Sequence, residues 1–256
     1  MEKESQINFQ ESHEKEKFGR DVQIHAIFMR HGEKATNGEL TEEGKNQAIR
    51  FGEELENKDA IKGYSSPVQR VLETVNKVVA NSPHDKKLNT RIRTELAIPV
   101  FSKEATQKYK DLEKLGPSEA AEWYLSFGSE KPDLDTVSPQ DVAKTFAYLV
   151  QRYIDMTDKL YSGSNIDLIN GTHQALPEAL LKEILIRKQD EKEIVGFEKL
   201  EDIGGALKPT ESMEFLISTN GIGSKEVKLH FRGEVYDIDL LVLQKLAELY
   251  KQQKYE

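Results

Sequence analysis

The 256-residue chain contains no cysteine, which excludes disulfides and thiolate metal sites and leaves the redox compartment open. It has no apolar run long enough to cross a membrane, and Met1 to Arg20 is dominated by Glu, Lys, Gln and Ser, without the apolar core of a secretory signal. The missing signal favours the cytoplasm, and segment 1–20 is expected to be a disordered polar tail. No internal repeat, GxxxxGK(S/T) or GxGxxG sequence is found, so nothing suggests a nucleotide cradle. Positive charge is in deficit: 36 Lys and Arg against 45 Asp and Glu give a formal net charge of −9. That argues against a nucleic-acid partner, because affinity for phosphate backbones comes from clustered cations. Arginines gathered locally in an acidic surface would instead select small, compact anions.

What is present reads as one α/β domain over 21–256, with a helical insertion at about 103–161. Val22 to Met29 (VQIHAIFM) is apolar enough for a strand buried on both faces, and it ends at Arg30-His31-Gly32. Thr41 is a good N-cap, followed by Glu42 and Glu43 and by Gly44, Ala48, Phe51 and Leu55 at helical spacing. Ala60 to Tyr64 is a short strand candidate. Ser66, Pro67 and Gln69 then predict a capping box, ahead of a core-facing stripe of Val68, Val71, Leu72, Val75, Val78 and Val79. Leu88 to Leu96 reads as a strand, Lys103 to Phe127 and Ser138 to Tyr161 as helices, and Asn165 to Asn170 as a strand broken by Gly171-Thr172-His173. A helix through Leu176, Leu180 and Ile184 follows, and Asp190 to Glu211 reads as a mobile connection. Ser212 to Thr219 and Val227 to Phe231 form a hairpin around Asn220-Gly221-Ile222-Gly223, and Leu240 to Tyr250 forms a closing helix.

Chemistry concentrates where strands end. Arg30-His31 follows a buried strand, the place where open α/β sheets present ligand-binding residues. An arginine offers permanent forked donors to phosphate oxygens, and a neutral imidazole can attack phosphorus. Arg70 lies off the valine stripe and, leaning toward its helix N-terminus, is placed to point back at the same end of the sheet. His173 again follows a strand and precedes a helix. The other histidines read as structural: His25 within the first strand, His84 in a loop, His230 on the late hairpin and His13 in the tail. Trp123 and Tyr124 are expected in the core.

Phe28-Met29-Arg30-His31-Gly32-Glu33 and Leu40-Thr41-Glu42-Glu43-Gly44 resemble the opening of histidine phosphatases and phosphoglycerate mutases. In the same order, Ser65-Ser66-Pro67-Val68-Gln69-Arg70 resembles that superfamily's second arginine segment and Gly171-Thr172-His173 its second histidine segment. The resemblance spans Val22 to Thr74 and Asp167 to Leu181. It implies a three-layer αβα sandwich on a mainly parallel mixed sheet, and a phosphate site built from Arg30, His31, Arg70 and His173. His31 would be the nucleophile of a phosphohistidine route that needs no metal or other cofactor, and Glu95, after the strand that follows the second arginine, would be the proton donor.

Two departures narrow the branch. Gln174 stands where acid phosphatases and phytases usually have Asp, and Lys34-Ala35-Thr36 lacks the Ser and Trp-Asn pair of cofactor-dependent mutases. The implied activity is hydrolysis of a phosphate monoester, on a small metabolite or a phosphorylated protein side chain, with no membrane partner. Mutase-like phosphoryl transfer and a non-catalytic phospholigand-binding module are the alternatives.

Overall fold

A computed structural model describes residues 17–116, 118–189 and 192–255. Residues 1–16 of the expected tail lie outside the described residues, while within 17–20 Phe18 bridges to Tyr161 and stacks on its ring at 4.8 Å. Nine strands form one sheet in the order β3-β2-β4-β1-β7-β8-β9-β5-β6. Four of them, β1 (Gln23–Arg30), β2 (Ala60–Ser65), β3 (Lys87–Ile92) and β4 (Asn165–Thr172), pair in parallel. The other five, β5 (Leu185–Gln189), β6 (Lys192–Val195), β7 (Ser212–Thr219), β8 (Lys225–Phe231) and β9 (Glu234–Ile238), join antiparallel.

Alternation along β1 sends successive side chains to two separate cores. Ile27 and Met29 pack, with Ile61 and Ile169, under α1 (Glu42–Glu53) and α2 (Gln69–Asn81), through Ala48, Val75, Val78 and Val79. Ile24, Ala26 and Phe28 face the larger core, covered by α5 (Pro139–Met156), α6 (Leu176–Ile184) and α7 (Leu240–Tyr255). The result is a three-layer αβα sandwich. Phe28 marks the centre of the larger core, with Phe146 at 5.6 Å and Phe215 edge-on at 5.9 Å.

Three expectations are corrected. The middle segment is not a single helical insertion. Its first part forms two helices, α3 (Lys103–Glu113) and α4 (Glu119–Leu125). Its second, α5, buries Val142, Phe146, Val150 and Tyr153 against the sheet and is one of the sandwich layers. The segment 190–211 is no mobile connection among its described residues, because β6 pairs with β5 and Leu200, Ile203, Ala206 and Leu207 are buried. Strand β9 went unread because its turn, Arg232-Gly233, places Arg232 as well as Gly233 in the left-handed region, at φ 53° and 79°. Such a turn suits a hairpin, but arginine is not its usual signal.

At the amino-terminal end of the parallel strands, the α1–α2 side of the sheet holds a charged cluster. Asp167 of β4 has a fully buried side chain and accepts from Lys58 Nζ at 2.7 Å, while His84 Nε2 lies 3.1 Å from its other oxygen. His25, the next strand over, contacts Asp167 at 3.3 Å and Glu214 at 2.9 Å. Burial opposes charge on His25, but its hydrogen bonds to Asp167 and Glu214 outweigh this and raise its pKa. Burial likewise disfavours the charged form of Asp167, yet His25 and Lys58 hold its carboxyl below the usual range. Removing the shared anion strands a buried ammonium, so Asp167→Ala is expected to lower the unfolding free energy by about 3–5 kcal/mol. Urea denaturation followed by circular dichroism measures it, and a loss under about 1 kcal/mol would show the cluster to be indifferent to its anion.

Candidate active site

The parallel register aligns three residues at the carboxyl edge of the sheet. Arg30 pairs with Thr172 and Ser65 with Gly171, so His31 stands opposite His173 across β1 and β4, and Ser66, just past β2, stands opposite Thr172, next to His173. Backbone bonds continue the pairing past the strand ends: His31 N donates to Thr172 O and Ser66 N to Gly171 O. The two imidazoles meet edge to face with centroids 5.5 Å apart, and Ser66 Oγ lies 2.9 Å from His173 Nε2. Arg70, one residue inside α2, points back as expected and donates from Nε to His31 Nε2 at 3.0 Å.

The tautomer of His31 follows from its partners. Nδ1 lies 2.7 Å from the Gly32 carbonyl, which only accepts, so Nδ1 carries the proton and Nε2 the lone pair. The loop holding it is clamped by glycine against glycine. A Cβ on Gly32 would collide with the Gly44 carbonyl, and one on Gly44 with the Glu33 carbonyl. Gly32 N also donates to Thr74 Oγ1 at 3.1 Å, and Thr41 caps α1 as expected, accepting from Gly44 N at 2.9 Å. The imidazole is thus fixed from the β1 side and from both helices beneath it.

Arg30 alternates to the opposite face from His31 and lies under the larger helical layer. Its Nη1 donates to Leu207 O at 2.6 Å, while Nε is buried without a hydrogen-bond partner. Segment 207–211 therefore braces the end of β1: Arg30 N donates to Glu211 O and Thr210 N to Arg30 O. Behind it sits Glu178 of α6, wholly buried, accepting from Leu207 N at 2.8 Å. Burial pushes the Glu178 carboxyl up, against the pull of the Leu207 N–H and Arg30. Sequence reasoning missed both Glu178 and Ser66. No periodicity pointed to Glu178, which is two residues from Leu176 and from Leu180 and so lies off the stripe they form. Ser66 was read as a helix cap, but α2 begins later, its N-cap is Val68 without a side-chain bond, and the Ser66 hydroxyl serves His173.

Arg30, His31, Arg70 and His173 all line one cavity of about 220 Å³, together with Lys34, Glu113 and Gln174. Glu95 does not join them. It sits in the 3-10 turn Thr94–Leu96, ion-paired to Lys254 of α7 at 3.1 Å, and lines a neighbouring depression. Burial would raise its pKa, but hydrogen bonds from the backbone and Lys254 hold it below the usual carboxylate range, which suits a charged pair rather than a proton donor. Tyr124 is in the core as expected, yet it also forms part of the cavity wall. Among the described residues, no group of three or more His, Asp and Glu side chains is disposed to hold a metal ion, and no helix is long and apolar enough to cross a membrane.

Burial drives both imidazoles toward the neutral form, reinforced by Arg70 and Arg30: the His31 pKa is lowered to about 3 and that of His173 to about 2. An unfolded chain binds protons at these histidines near pH 6.5, whereas the folded one refuses them until far lower. Stability from this source is present above pH 6.5 and drains as the pH falls toward 3. Comparing pH 7.5 with pH 4.5, the wild type should lose on the order of 2 kcal/mol per histidine that a His31→Asn/His173→Asn variant keeps. Denaturant titrations at the two pH values measure this, and equal losses in both proteins would refute it.

The histidine phosphatase superfamily (branch 1) model matches residues 26–197. No curated protein matches the chain by sequence. Among solved structures, a mycobacterial hydrolase superposes with a TM-score of 0.53 at 17% identity, covering 83% of this chain and 99% of its own. A mycobacterial glucosyl-3-phosphoglycerate phosphatase gives 0.52 at 16% identity, covering 81% and 97%. The same mycobacterial phosphatase with inorganic phosphate gives 0.51 at 18% identity, covering 82% and 97%. The likeness to these structures is one of fold, and the family match spans both histidine segments and the arginine segment between them: the chain belongs to the histidine phosphatase superfamily, branch 1.

Proposed function

We propose that the protein hydrolyses phosphate monoesters through a phosphohistidine formed at His31 Nε2. The observation that carries this reading is the lone pair on Nε2, held neutral and facing a cavity that Arg30, Arg70 and His173 also line. In the free protein Arg70 Nε–H covers that lone pair. A phosphoryl dianion accepts from a guanidinium better than a neutral imidazole does, so its arrival draws Arg70 onto phosphate oxygens and bares the nucleophile. The N–P bond then forms as the ester P–O bond breaks, and water later cleaves N–P to release phosphate. The arginines supply fixed positive charge to the transferring group, so the scheme calls for no metal.

The departing oxygen needs a proton. Among the described residues lining the cavity, Glu113 of α3 is the one carboxyl, held by Lys34 Nζ at 2.9 and 3.3 Å. Glu113 is therefore the candidate donor by position, inside the cavity and released from Lys34 when the phosphoryl dianion draws that lysine away, whereas Glu95 lies outside the cavity. Phosphatase neighbours, one solved with inorganic phosphate, are in keeping with this chemistry on this fold.

In the presence of EDTA, the wild type is expected to release phosphate from p-nitrophenyl phosphate, and His31→Ala to abolish release. Arg70→Ala should lower kcat/KM by about 10²–10³-fold. Rapid quenching should trap a phosphoprotein that is labile in acid and stable in base. Release that survives His31→Ala would refute the nucleophile, and a wild type that binds phosphate without turnover would refute the activity.

A further inference from the structure

Beyond the phosphate end, the cavity is bounded by Ile98, Pro99, Phe101, Tyr109, Tyr124 and Leu176. Helix α3 faces it with Thr106, Tyr109, Lys110 and Glu113, residues three, four and seven apart and therefore on one side of the helix. Three aromatic rings of this wall are mutually packed, with Phe101 centred 4.9 Å from Tyr124 and 5.9 Å from Tyr109. They form a stiff surface rather than a set of free side chains.

Part of the polar capacity of the wall is already spent within the protein. The Thr106 hydroxyl donates to Ser102 O at 2.7 Å and the Tyr124 hydroxyl to Val137 O at 3.0 Å, which leaves the Tyr109 hydroxyl, Lys110 and Glu113 as the polar groups that α3 turns to a guest. A polyol pressed against this surface would exchange water for few partners, and each hydroxyl left unpaired costs affinity. An apolar body loses nothing of the kind and gains burial. The volume, about 220 Å³, gives room for one ring or a short branched chain beside the phosphate.

We infer that the substrate is a compact phosphate monoester whose leaving group is apolar, an aryl, arylmethyl or branched alkyl alcohol, selected by the wall of Ile98, Phe101 and Tyr109. The inference rests on the phosphatase reading for its chemistry, but binding tests it independently. Benzyl phosphate and ribose 5-phosphate are both primary alkyl esters, so they differ mainly in the body attached. The wild type should favour benzyl phosphate by at least about tenfold in kcat/KM, the order that a few apolar contacts supply. By calorimetry, benzylphosphonate should bind at least about tenfold more tightly than methylphosphonate, which lacks the body. Ile98→Asn, at a half-exposed position where folding is not at stake, and Tyr109→Ser should each shrink both ratios.

Ratios near or below one, or ratios untouched by both substitutions, overturn the assignment of the wall. A wild type that hydrolyses neither ester but keeps the phosphonate preference sustains the wall and refutes the phosphatase reading. Turnover of both esters without preference does the reverse. Free O-phosphotyrosine set against a phosphotyrosyl peptide separates a small aryl ester from a protein side chain as the source of the same chemistry.

Discussion

Two uncharged imidazoles held against two guanidiniums are the constraint from which the site is built. Protonating either ring would place a third cation beside Arg30 and Arg70, so burial and charge act in the same direction on both histidines. The arrangement depends on strand register, since His31 and His173 meet only because β1 and β4 run parallel and end in step. It depends equally on a helix that starts late enough to turn Arg70 back over the edge. A shift of one residue in either strand would flip one imidazole to the opposite face of the sheet.

The sheet itself divides the labour. Side chains on the α1–α2 side supply His31 and Arg70 at one end, and the Asp167 cluster at the other. Those on the larger side supply Arg30, steadied by segment 207–211 and by Glu178. On the α1–α2 side the charged groups of β1 and β4 thus sit at the two ends, with Ile27, Met29, Ile61 and Ile169 closing the layer between them. A charged cluster at the far end leaves that apolar middle intact and keeps its own cations about a strand length away from the candidate site.

The central fold was legible because its signals were local and periodic. The run Val22 to Met29, the valine stripe of α2 and the hairpin around Asn220-Gly221 each announce an element, and the strand-end positions of Arg30, His31 and His173 place the site. What stayed hidden was decided by partners distant in sequence. Ser66 carries a cap signature but meets His173, over a hundred residues away, and a side chain holding one hydrogen bond is not free for another. Glu95 has the position expected of a proton donor, yet Lys254 in the last helix claims it. Segment 192–211 looks like charged loop because Gly196, Gly204 and Gly205 interrupt it among charged residues, though Phe197, Leu200, Ile203, Ala206 and Leu207 are buried. In the middle segment the sequence marks helices and their breaks, but local signals do not tell a helix that lies over a cavity from one that covers the sheet.

The hydrogen bond from Arg70 to His31 has a counterpart in the hydroxyl of Ser66 on His173, and together they occupy the Nε2 atoms of both rings. Paired neutral imidazoles this close would ordinarily chelate stray zinc or copper and react with soft electrophiles. Here Nε2 of both rings is shuttered in the resting protein, and one shutter is a guanidinium, which repels cations outright. An anion strong enough to draw Arg70 away would open it. Under the proposed function, one side chain would thus guard the ring and meet the guest.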